Sequence, residues 1–250
     1  MKRVISMVPS WTETLIESGV EVVGRTRFCV HPQDKIQKIK AVGGTKEIQW
    51  DLVRELYADL LLLDREENPK SMAEESPLPV FDTHVTDLRD LPAELSRLAE
   101  RFSSRKLEEF SGRWQKVGLL SQKNRSLERL PGVKKWLKPY SGQTDFLYLI
   151  WKNPWMAVGE HTFIDSMLKH LGFTKNALAH NSARIKYPQV DLSTYDPEKT
   201  LLLFSSEPYP FHKRHDFAQS LPFSSAIVDG EAWSWFGLRS LRFLEKSLNL

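Results

Sequence analysis

The segment from Ser104 to Asn124 has the sequence SRKLEEFSGRWQKVGLLSQKN. Its apolar residues recur every three or four positions, the spacing that places side chains on one face of an α-helix. These residues are Leu107, Phe110, Trp114, Val117 and Leu120. Glu108 and Glu109 lie in the first turn, where the helix dipole favours acidic side chains. The pattern predicts one amphipathic helix of ~20 residues, roughly 30 Å long, which follows a separate helix that ends near Ser103.

Strand and helix signals alternate on both sides of this predicted helix. Short apolar runs suited to buried strands occur at 4–8, 60–63, 145–151, 200–204 and 226–228. Amphipathic segments separate them, and this alternation is typical of α/β folds. We therefore predict two α/β lobes with central parallel sheets, joined by one long backbone helix, with a ligand cleft between the lobes. The predicted boundaries are 1–103, 104–124 for the helix, and 125–250. A single α/β domain with one long surface helix is the alternative.

The composition excludes several classes of protein. The chain has 250 residues, enough for one large domain or two small ones, and a formal net charge of +3. No basic run is interleaved with aromatic residues, so we expect no nucleic-acid partner. Cys29 is the only cysteine, which rules out an intramolecular disulfide. No apolar run approaches the ~20 residues of a membrane span, so we expect a protein that does not span a membrane.

The first residues do not have the pattern of a secretory signal. The apolar segment after Arg3 reaches Pro9 almost at once, which is too short for the roughly 7–15 apolar residues of a signal-peptide core. We expect segment 4–8 to be the first strand of the fold. As written, the sequence predicts a cytoplasmic monomer, and a periplasmic location would require a leader missing from it.

Trp11 and the pair Cys29 and His31 are candidate ligand-binding residues of the first lobe. Trp11 follows the first strand and lies in the first turn of a helix, where Ser10 and Glu13 have the spacing of a capping box. Trp11 is either a platform for a ligand or part of the lobe's packing. Cys29 and His31 carry side chains that bind soft metal ions, but a buried thiol and a turn imidazole explain the same spacing.

Four tryptophans lie in loops of the second lobe: Trp151, Trp155, Trp233 and Trp235. The first two are four residues apart in an irregular loop with Met156, and the last two are two apart, where an extended chain directs both to one side. Arg239 lies one helical turn further on. We favour a cleft-facing aromatic wall over buried core, because loops at strand ends carry function. If each indole buried ~100 Å² against a ligand, it would contribute about 2.5 kcal/mol before binding costs, which suits a large flat ligand.

The sequence contains no recognisable catalytic motif. None of its seven histidines pairs with another at helical metal-binding spacing beside a glutamate, and no serine lies in a nucleophile elbow. We therefore predict a non-enzymatic binding protein with no catalytic residues, no metal site and no covalent cofactor.

Seven short motifs occur in order along nearly the whole chain. In the first lobe they are Val8-Pro9-Ser10-Trp11-Thr12-Glu13, Phe28-Cys29-Val30-His31-Pro32, Val42-Gly43-Gly44-Thr45 and Arg65-Glu66-Glu67-Asn68. In the second they are Trp151-Lys152-Asn153-Pro154-Trp155-Met156-Ala157-Val158-Gly159, Ser205-Ser206-Glu207-Pro208-Tyr209-Pro210-Phe211 and Asp229-Gly230-Glu231. Together they resemble the substrate-binding proteins of transporters for cobalamin and iron–siderophore complexes, whose two lobes are joined by a single backbone helix. The resemblance is strongest to the cobalamin-binding branch. The chain departs from it by having no export signal and by having Ala58-Asp59 where the family usually has Pro-Asp.

The resemblance implies a binder of a cobalamin-like corrinoid that delivers its ligand to an ABC permease. The expected ligand contacts are Trp11, Phe28, His31, Trp151, Trp155, Met156, Tyr209, Trp233, Trp235 and Arg239. The resemblance also implies that one surface glutamate on each lobe docks on the permease, namely Glu66 or Glu67 and Glu207. The alternatives are a ferric siderophore or haem binder, and a cytosolic enzyme of corrinoid or tetrapyrrole metabolism that uses Cys29, His31 and Glu207. An acidic siderophore complex would need arginine or lysine around it, so the abundance of tryptophan favours the corrinoid.

Overall fold

The computed structural model describes residues 2–178, 183–213 and 215–250. The chain divides into two compact units. Unit 1 comprises Met1–Val117 and Trp235–Arg242, and unit 2 comprises Gly118–Ser234 and Phe243–Leu250. The chain therefore passes from one unit to the other more than once. The sequence predicts a second lobe of 125–250, whereas Trp235–Arg242 groups with unit 1.

The described part of unit 1 contains a five-stranded parallel sheet with the strand order β3-β2-β1-β4-β5. Its strands are β1 (Arg3–Ser6), β2 (Glu21–Thr26), β3 (Lys40–Gly43), β4 (Leu60–Asp64) and β5 (Val80–Thr83). Its helices are α1 (Pro9–Glu17), α2 (Gln33–Ile36), α3 (Trp50–Glu55), α4 (Lys70–Glu74), α5 (Leu91–Phe102) and α6 (Arg105–Gly118). A 3₁₀ turn lies at Leu88–Asp90. All of β4 is buried, as expected for a strand of a parallel sheet that is covered on both faces.

The helices α5 and α6 are separate, as the sequence predicts. Ser103 ends α5 in a left-handed conformation, with φ of 51°, and Ser104 Oγ accepts a hydrogen bond from Leu107 N at 3.4 Å at the start of α6. The helix ends at Gly118, however, and not at Asn124. Leu120 lies beyond the helix and is 41% exposed. The predicted apolar stripe thus stops at Val117, and a glycine, which disfavours helix, follows it.

The described part of unit 2 contains a second sheet, with the strand order β6-β10-β9-β7-β8. Its strands are β6 (Val133–Lys138), β7 (Asp145–Trp151), β8 (Met156–Ala157), β9 (Thr200–Ser205) and β10 (Ser225–Val228). The three inner strands pair in parallel, and the edge strands β6 and β8 are antiparallel to their neighbours. The helices are α7 (Phe163–His170) and α8 (Gly230–Ser234), with 3₁₀ turns at Leu127–Arg129, Leu192–Thr194 and Asp216–Gln219.

The last helix, α9 (Leu238–Leu248), contributes its first turn to unit 1 and its later turns to unit 2. In unit 1, Leu238 N donates to Thr14 Oγ1 at 3.0 Å, and Trp114 Nε1 donates to Gly237 O at 3.0 Å. Gly237 has φ of 87°, and a Cβ there would lie 2.3 Å from Thr14 Oγ1. This close approach requires glycine, so the contact fixes where α9 begins.

The predicted fold class, two α/β units built on mostly parallel sheets, is confirmed. Among the described residues, no helix has both the length and the apolar character that crossing a membrane requires. The loops that follow the carboxyl ends of the parallel strands carry most of the candidate residues. Ligands bind at this edge in open α/β sheets.

Candidate functional site

Two loops leave the carboxyl edge of the unit 2 sheet side by side. The strand β7 ends at Trp151 and β9 ends at Ser205. The two strands pair in parallel with a continuous register from Asp145 opposite Thr200 onwards. Their carboxyl ends therefore meet at one edge, and the loops 152–155 and 206–211 are neighbours there.

Trp155 is central to an aromatic group in these loops. Its indole stacks on Phe211 with a centroid distance of 6.2 Å and an interplanar angle of 9°. Phe204 and Phe217 lie 6.0 and 5.4 Å from it. Phe204 and Phe211 are fully buried, so they form the inner layer of the group, and Trp155 is half-buried. We call the following six residues the unit 2 aromatic cluster: Trp151, Trp155, Phe204, Tyr209, Phe211 and Phe217.

The outer end of the unit 2 aromatic cluster is exposed. Trp151 is 41% exposed, and the Tyr209 ring lies edge-on to it at 5.4 Å. Tyr209 in turn lies 4.5 Å from Phe211. Met156 pairs with Trp151 across β7 and β8 and is half-buried. The structure thus brings together four predicted residues. The rings of the unit 2 aromatic cluster run from the core to the surface, where an apolar ligand face can cover them.

A cation lies against this cluster. Lys152 Nζ is 3.8 Å from the ring centroid of Phe217 and 5.7 Å from that of Trp155. These distances are within the range of cation–π attraction. Sequence reasoning missed Lys152, although the residue lies between Trp151 and Trp155 in the quoted motif. It also missed Phe217, because no local pattern connects that residue with the loop after β7.

In unit 1, His31, Trp235 and Arg239 lie together. The His31 and Trp235 rings are 5.7 Å apart in an edge-on arrangement. The guanidinium carbon of Arg239 lies 5.5 Å from the Trp235 ring centroid. Glu13 holds this guanidinium: Arg239 Nε donates to Oε2 at 2.7 Å and Arg239 NH2 donates to Oε1 at 2.8 Å. The bidentate geometry fixes the plane of the guanidinium and thereby supports one face of Trp235.

The capping box predicted for Ser10 and Glu13 is wrong. The helix α1 begins at Pro9, and its N-cap residue Val8 makes no side-chain cap bond. Proline suits the first helical turn because its missing N–H group would have no partner there. Glu13 instead faces Arg239, 226 positions away in the sequence, and its side chain is only 6% exposed.

Phe28 lies in the loop after β2 and is 48% exposed. The guanidinium of Arg27 lies 4.8 Å from its ring centroid, and Arg27 also pairs with Glu47. Val30, in the same loop, is 44% exposed. Phe28 therefore offers a ring surface in unit 1, with a cation already on one face.

Cys29 is a buried thiol. It is 1% exposed, and its Sγ lies 3.1 Å from Thr12 Oγ1 and 3.2 Å from Thr26 Oγ1. Burial raises the pKa of the thiol, although both hydroxyls and the Thr26 backbone oppose the shift. The described residues contain no group of three or more His, Cys, Asp or Glu side chains arranged to hold a metal ion.

Trp11 is a core residue. It has no exposed surface, its Nε1 donates to Thr83 Oγ1 at 2.9 Å, and its ring packs edge-on against Phe236 at 5.1 Å. Of the two roles that the sequence leaves open, the structure places Trp11 in the packing of unit 1.

Trp233 also belongs to the core. It is fully buried and packs against Phe243 at 4.9 Å and Tyr148 at 6.5 Å. The sequence predicts extended chain through Trp233 and Trp235, so that both face one side. The structure shows a helix over Gly230–Ser234 instead, and the two indoles belong to different units.

A buried carboxyl group follows the apolar part of β4. Asp64 has no exposed surface. Its Oδ2 accepts a hydrogen bond from Thr83 Oγ1 at 2.7 Å and its Oδ1 accepts one from Glu66 N at 2.9 Å. Burial raises the pKa of Asp64 to about 6, while these hydrogen bonds lower it. Asn68 Oδ1 accepts from Asp64 N at 2.8 Å, which holds the loop after β4 against the strand.

The two neighbouring glutamates of this loop differ in their surroundings. Glu66 is exposed, and its Oε1 lies 2.9 Å from His84 Nε2. Glu67 is half-buried. Burial and then the charge of Asp64 raise the pKa of Glu67 to about 8, and Lys46 opposes the shift. Glu67 is therefore largely protonated at neutral pH, whereas an exposed carboxylate for docking should be ionised.

Glu207 begins the turn after β9 and is half-buried. Burial raises the pKa of its carboxyl, the charge of Glu231 adds to the shift, and Lys213 and Lys134 oppose it. The loop after β9 thus carries an acidic group as well as the rings of Tyr209 and Phe211.

No family model and no curated protein matches the sequence. Solved structures do match it. The periplasmic vitamin B12 binding protein BtuF of Vibrio cholerae is 13% identical, with 99% of this chain and 95% of that chain covered and a TM-score of 0.69. A periplasmic haem-binding protein from Pseudomonas aeruginosa is 17% identical, with 99% and 91% covered and a TM-score of 0.71. An ABC transporter substrate-binding protein from Listeria monocytogenes is 15% identical, with 99% and 97% covered and a TM-score of 0.69. Along its whole length, the chain has the α/β fold of ABC transporter substrate-binding proteins.

Proposed function

We propose that this protein is a non-enzymatic binding protein for a large, flat metal chelate, with a cobalamin-like corrinoid as the first candidate. The observation that carries the proposal is the unit 2 aromatic cluster, whose outer end is the exposed Trp151 beside the half-buried Tyr209. A macrocycle has enough area to cover both rings, and each 100 Å² of apolar surface removed from water contributes about 2.5 kcal/mol before binding costs. A bare metal ion has no such area.

The solved structures of the same fold support this class of ligand. One is described as a vitamin B12 binding protein and another as a haem-binding protein. Both ligands are tetrapyrrole-type chelates with extended faces, and both suit an aromatic surface.

Lys152 favours haem as a second candidate. Its ammonium group lies 3.8 Å from the Phe217 ring centroid, beside the rings that would contact the ligand. Haem carries two carboxylates, whereas the periphery of cobalamin is mostly neutral amides. A cation at this position attracts the former more strongly than the latter.

A further part of the proposal is delivery of the ligand to an ABC permease, with Glu66 and Glu207 as docking carboxylates. Exposed ion pairs contribute only ~0–1 kcal/mol each, so these charges would steer and orient the complex. Within the loop after β4, Glu67 fits this role less well than the exposed Glu66, because burial raises the pKa of Glu67 to about 8. Docking of this kind requires export, which a reporter fused to the intact native reading frame would test.

The direct test is an absorbance and tryptophan-fluorescence titration with cyanocobalamin, haemin and a ferric hydroxamate chelate in turn. We expect one of the first two to bind with a dissociation constant below about 10 μM. Trp151→Ala and Tyr209→Ala should each weaken that binding at least ~10-fold, because each removes ring area at the outer end of the cluster. The matched control is Tyr57→Asn, which removes an 80% exposed ring in unit 1 at a position with φ of 46°, a conformation that asparagine tolerates.

Two results would overturn the proposal. One is the absence of binding by either tetrapyrrole. The other is unchanged affinity in both cluster variants. Tight binding of the ferric hydroxamate alone would replace the proposed ligand with a siderophore.

A further inference from the structure

A cavity of about 460 Å³ opens at the amino edge of the unit 2 sheet. The lining residues are 124–127, 140, 142–144, 146 and 172–175. Phe146, the second residue of β7, is part of the lining. The cavity therefore lies at the amino end of the same strand whose carboxyl end carries Trp151, and it is separate from the unit 2 aromatic cluster.

The described lining has an apolar floor and a positively charged rim. Leu127, Phe146 and Phe173 are buried and form the apolar part. Arg125 and Lys175 supply the charge, and no aspartate or glutamate is among the described lining residues. A concave site of this composition favours a ligand that combines an apolar body with negative charge.

The two cations are not neutralised by carboxylates. Neither Arg125 nor Lys175 forms an ion pair with a described residue. The Arg125 guanidinium lies over the Phe173 ring, 5.6 Å from its centroid, and Arg125 NH2 is 3.5 Å from Arg129 O. The ring thus supports the guanidinium from below, while the charge remains available to a ligand.

Hydrogen-bond donors accompany the charges. Ser126 Oγ accepts a hydrogen bond from Glu128 N at 3.3 Å, which leaves the hydroxyl proton of Ser126 to donate. Thr144 and Thr174 place exposed hydroxyls in the lining. Gln143 Nε2 donates one hydrogen to Ser141 Oγ at 2.8 Å and retains a second. Phosphate and carboxylate oxygens accept hydrogen bonds from such donors. Hydrogen bonds to charged groups are stronger than those between neutral groups.

We propose that this cavity is a second ligand site of unit 2, which binds an organic anion: a phosphate monoester or carboxylate attached to an apolar body. Its volume falls within the roughly 300–1,000 Å³ of small-molecule sites, and an inorganic ion alone would leave the apolar floor uncovered. The anionic group contacts Arg125 and Lys175, and the apolar body packs towards Phe173 and Leu127. The proposal goes beyond the chelate-binding function, and the two stand or fall separately.

The test is isothermal titration of the wild-type protein, at constant ionic strength, with phenyl phosphate, benzoate and inorganic phosphate. We expect phenyl phosphate or benzoate to bind in the range of about 1 mM or tighter, and inorganic phosphate to bind at least ~5-fold more weakly because it lacks the apolar body. Arg125→Ala and Lys175→Ala should each lower the affinity for the organic probe at least ~5-fold. Lys246→Ala removes an exposed lysine of unit 2 outside the cavity lining and should change the affinity by less than ~2-fold.

Comparing the affinities for phenyl phosphate and benzoate shows whether the site prefers a phosphate ester or a carboxylate. Either preference supports the proposed chemistry. Two results would contradict the proposed anion site. One is that neither organic probe binds, and the other is that the wild-type, Arg125→Ala and Lys175→Ala proteins bind the probe with equal affinity. Lys175 is exposed and Arg125 is half-buried, so circular dichroism of each variant checks that it folds. Saturating cyanocobalamin or haemin should leave the titration unchanged, because the chelate site is at the opposite edge of the sheet.

Discussion

Arg239 and Glu13, 226 positions apart in the sequence, form a two-point ion pair within unit 1, with N–O distances of 2.7 and 2.8 Å. The side chain of Glu13 is 6% exposed and that of Arg239 is 24% exposed. The pair is therefore far less accessible to solvent than an ordinary surface ion pair. It connects the helix α1 with the first turn of α9, and it supports the ring of Trp235.

Removal of Arg239 should destabilise the protein clearly. Arg239→Ala leaves Glu13 buried without its cation, and we expect the free energy of unfolding to fall by about 3 kcal/mol. Arg242→Ala is the matched control, because Arg242 is 56% exposed and lies 3.7 Å from Glu17, so its loss should cost less than ~1 kcal/mol. Urea denaturation measures both. Equal losses in the two variants would contradict the role given to the pair.

The free energy of unfolding should fall as the pH rises from about 4 to about 8. Unfolded aspartate and glutamate ionise near 3.8 and 4.5, whereas in the fold the pKa of Asp64 is about 6 and that of Glu67 about 8. Between these values the folded protein binds more protons than the unfolded chain, so stability is lost with rising pH. For the fully buried Asp64 the loss is about 3 kcal/mol, complete above its folded pKa.

Two variants separate the contributions. Asp64→Asn should remove the part of the slope between pH 4 and 6, and it should also lower the pKa of Glu67, because the Asp64 charge raises it. Glu67→Gln should flatten the slope up to pH 8. Denaturation curves at pH 4, 6 and 8 provide the measurement. A wild-type protein whose stability rises steadily across this range would show that neither carboxyl is shifted upwards.

Trp233 and Trp235 should respond differently to the same substitution. Trp233→Ala creates a cavity in the core of unit 2 and should cost about 3–5 kcal/mol of stability, with little change in the chelate affinity of the folded protein. Trp235→Ala should cost much less stability, because this ring of unit 1 is only half-buried. Thermal melts combined with binding titrations separate the two effects. Equal stability losses in the two variants would contradict the different burial of the two rings.

Lys152 should distinguish an anionic chelate from a neutral one. Lys152→Ala should weaken haemin binding about 5-fold, equivalent to about 1 kcal/mol, and leave cyanocobalamin affinity unchanged. The loss should shrink at high salt, because salt screens the charge. Lys199→Ala, at a 68% exposed lysine of unit 2 that pairs with Asp196, is the control. Equal weakening of both chelates would assign Lys152 to the packing of the aromatic cluster.

The sequence predicted the features that depend on local pattern. Apolar runs located β4, β7 and β9, and periodicity located α5 and α6 as separate helices. Parallel strands place their following loops at one edge, which is why Trp155 and Tyr209, more than fifty positions apart, both lie against Phe211.

The features that the sequence did not predict depend on distant contacts. Nothing near Trp11 or Trp233 indicates that Thr83 or Phe243 will cover its ring. Local spacing assigned Glu13 to a capping box, whereas its partner Arg239 lies at the other end of the chain. The end of α6 at Gly118 was missed for a similar reason, because Leu119 and Leu120 continue an apolar pattern that no neighbouring element covers.

The division of α9 between the units has a consequence for biosynthesis. Thr14 and Glu13 acquire their partners only when Gly237, Leu238 and Arg239 have been made. At about 5–20 residues per second, translation needs on the order of 10 s to proceed from the end of α6 to that segment. During this interval, the face of α1 that receives the segment is open on the nascent chain. Unit 1 therefore obtains its last segment only near the end of synthesis.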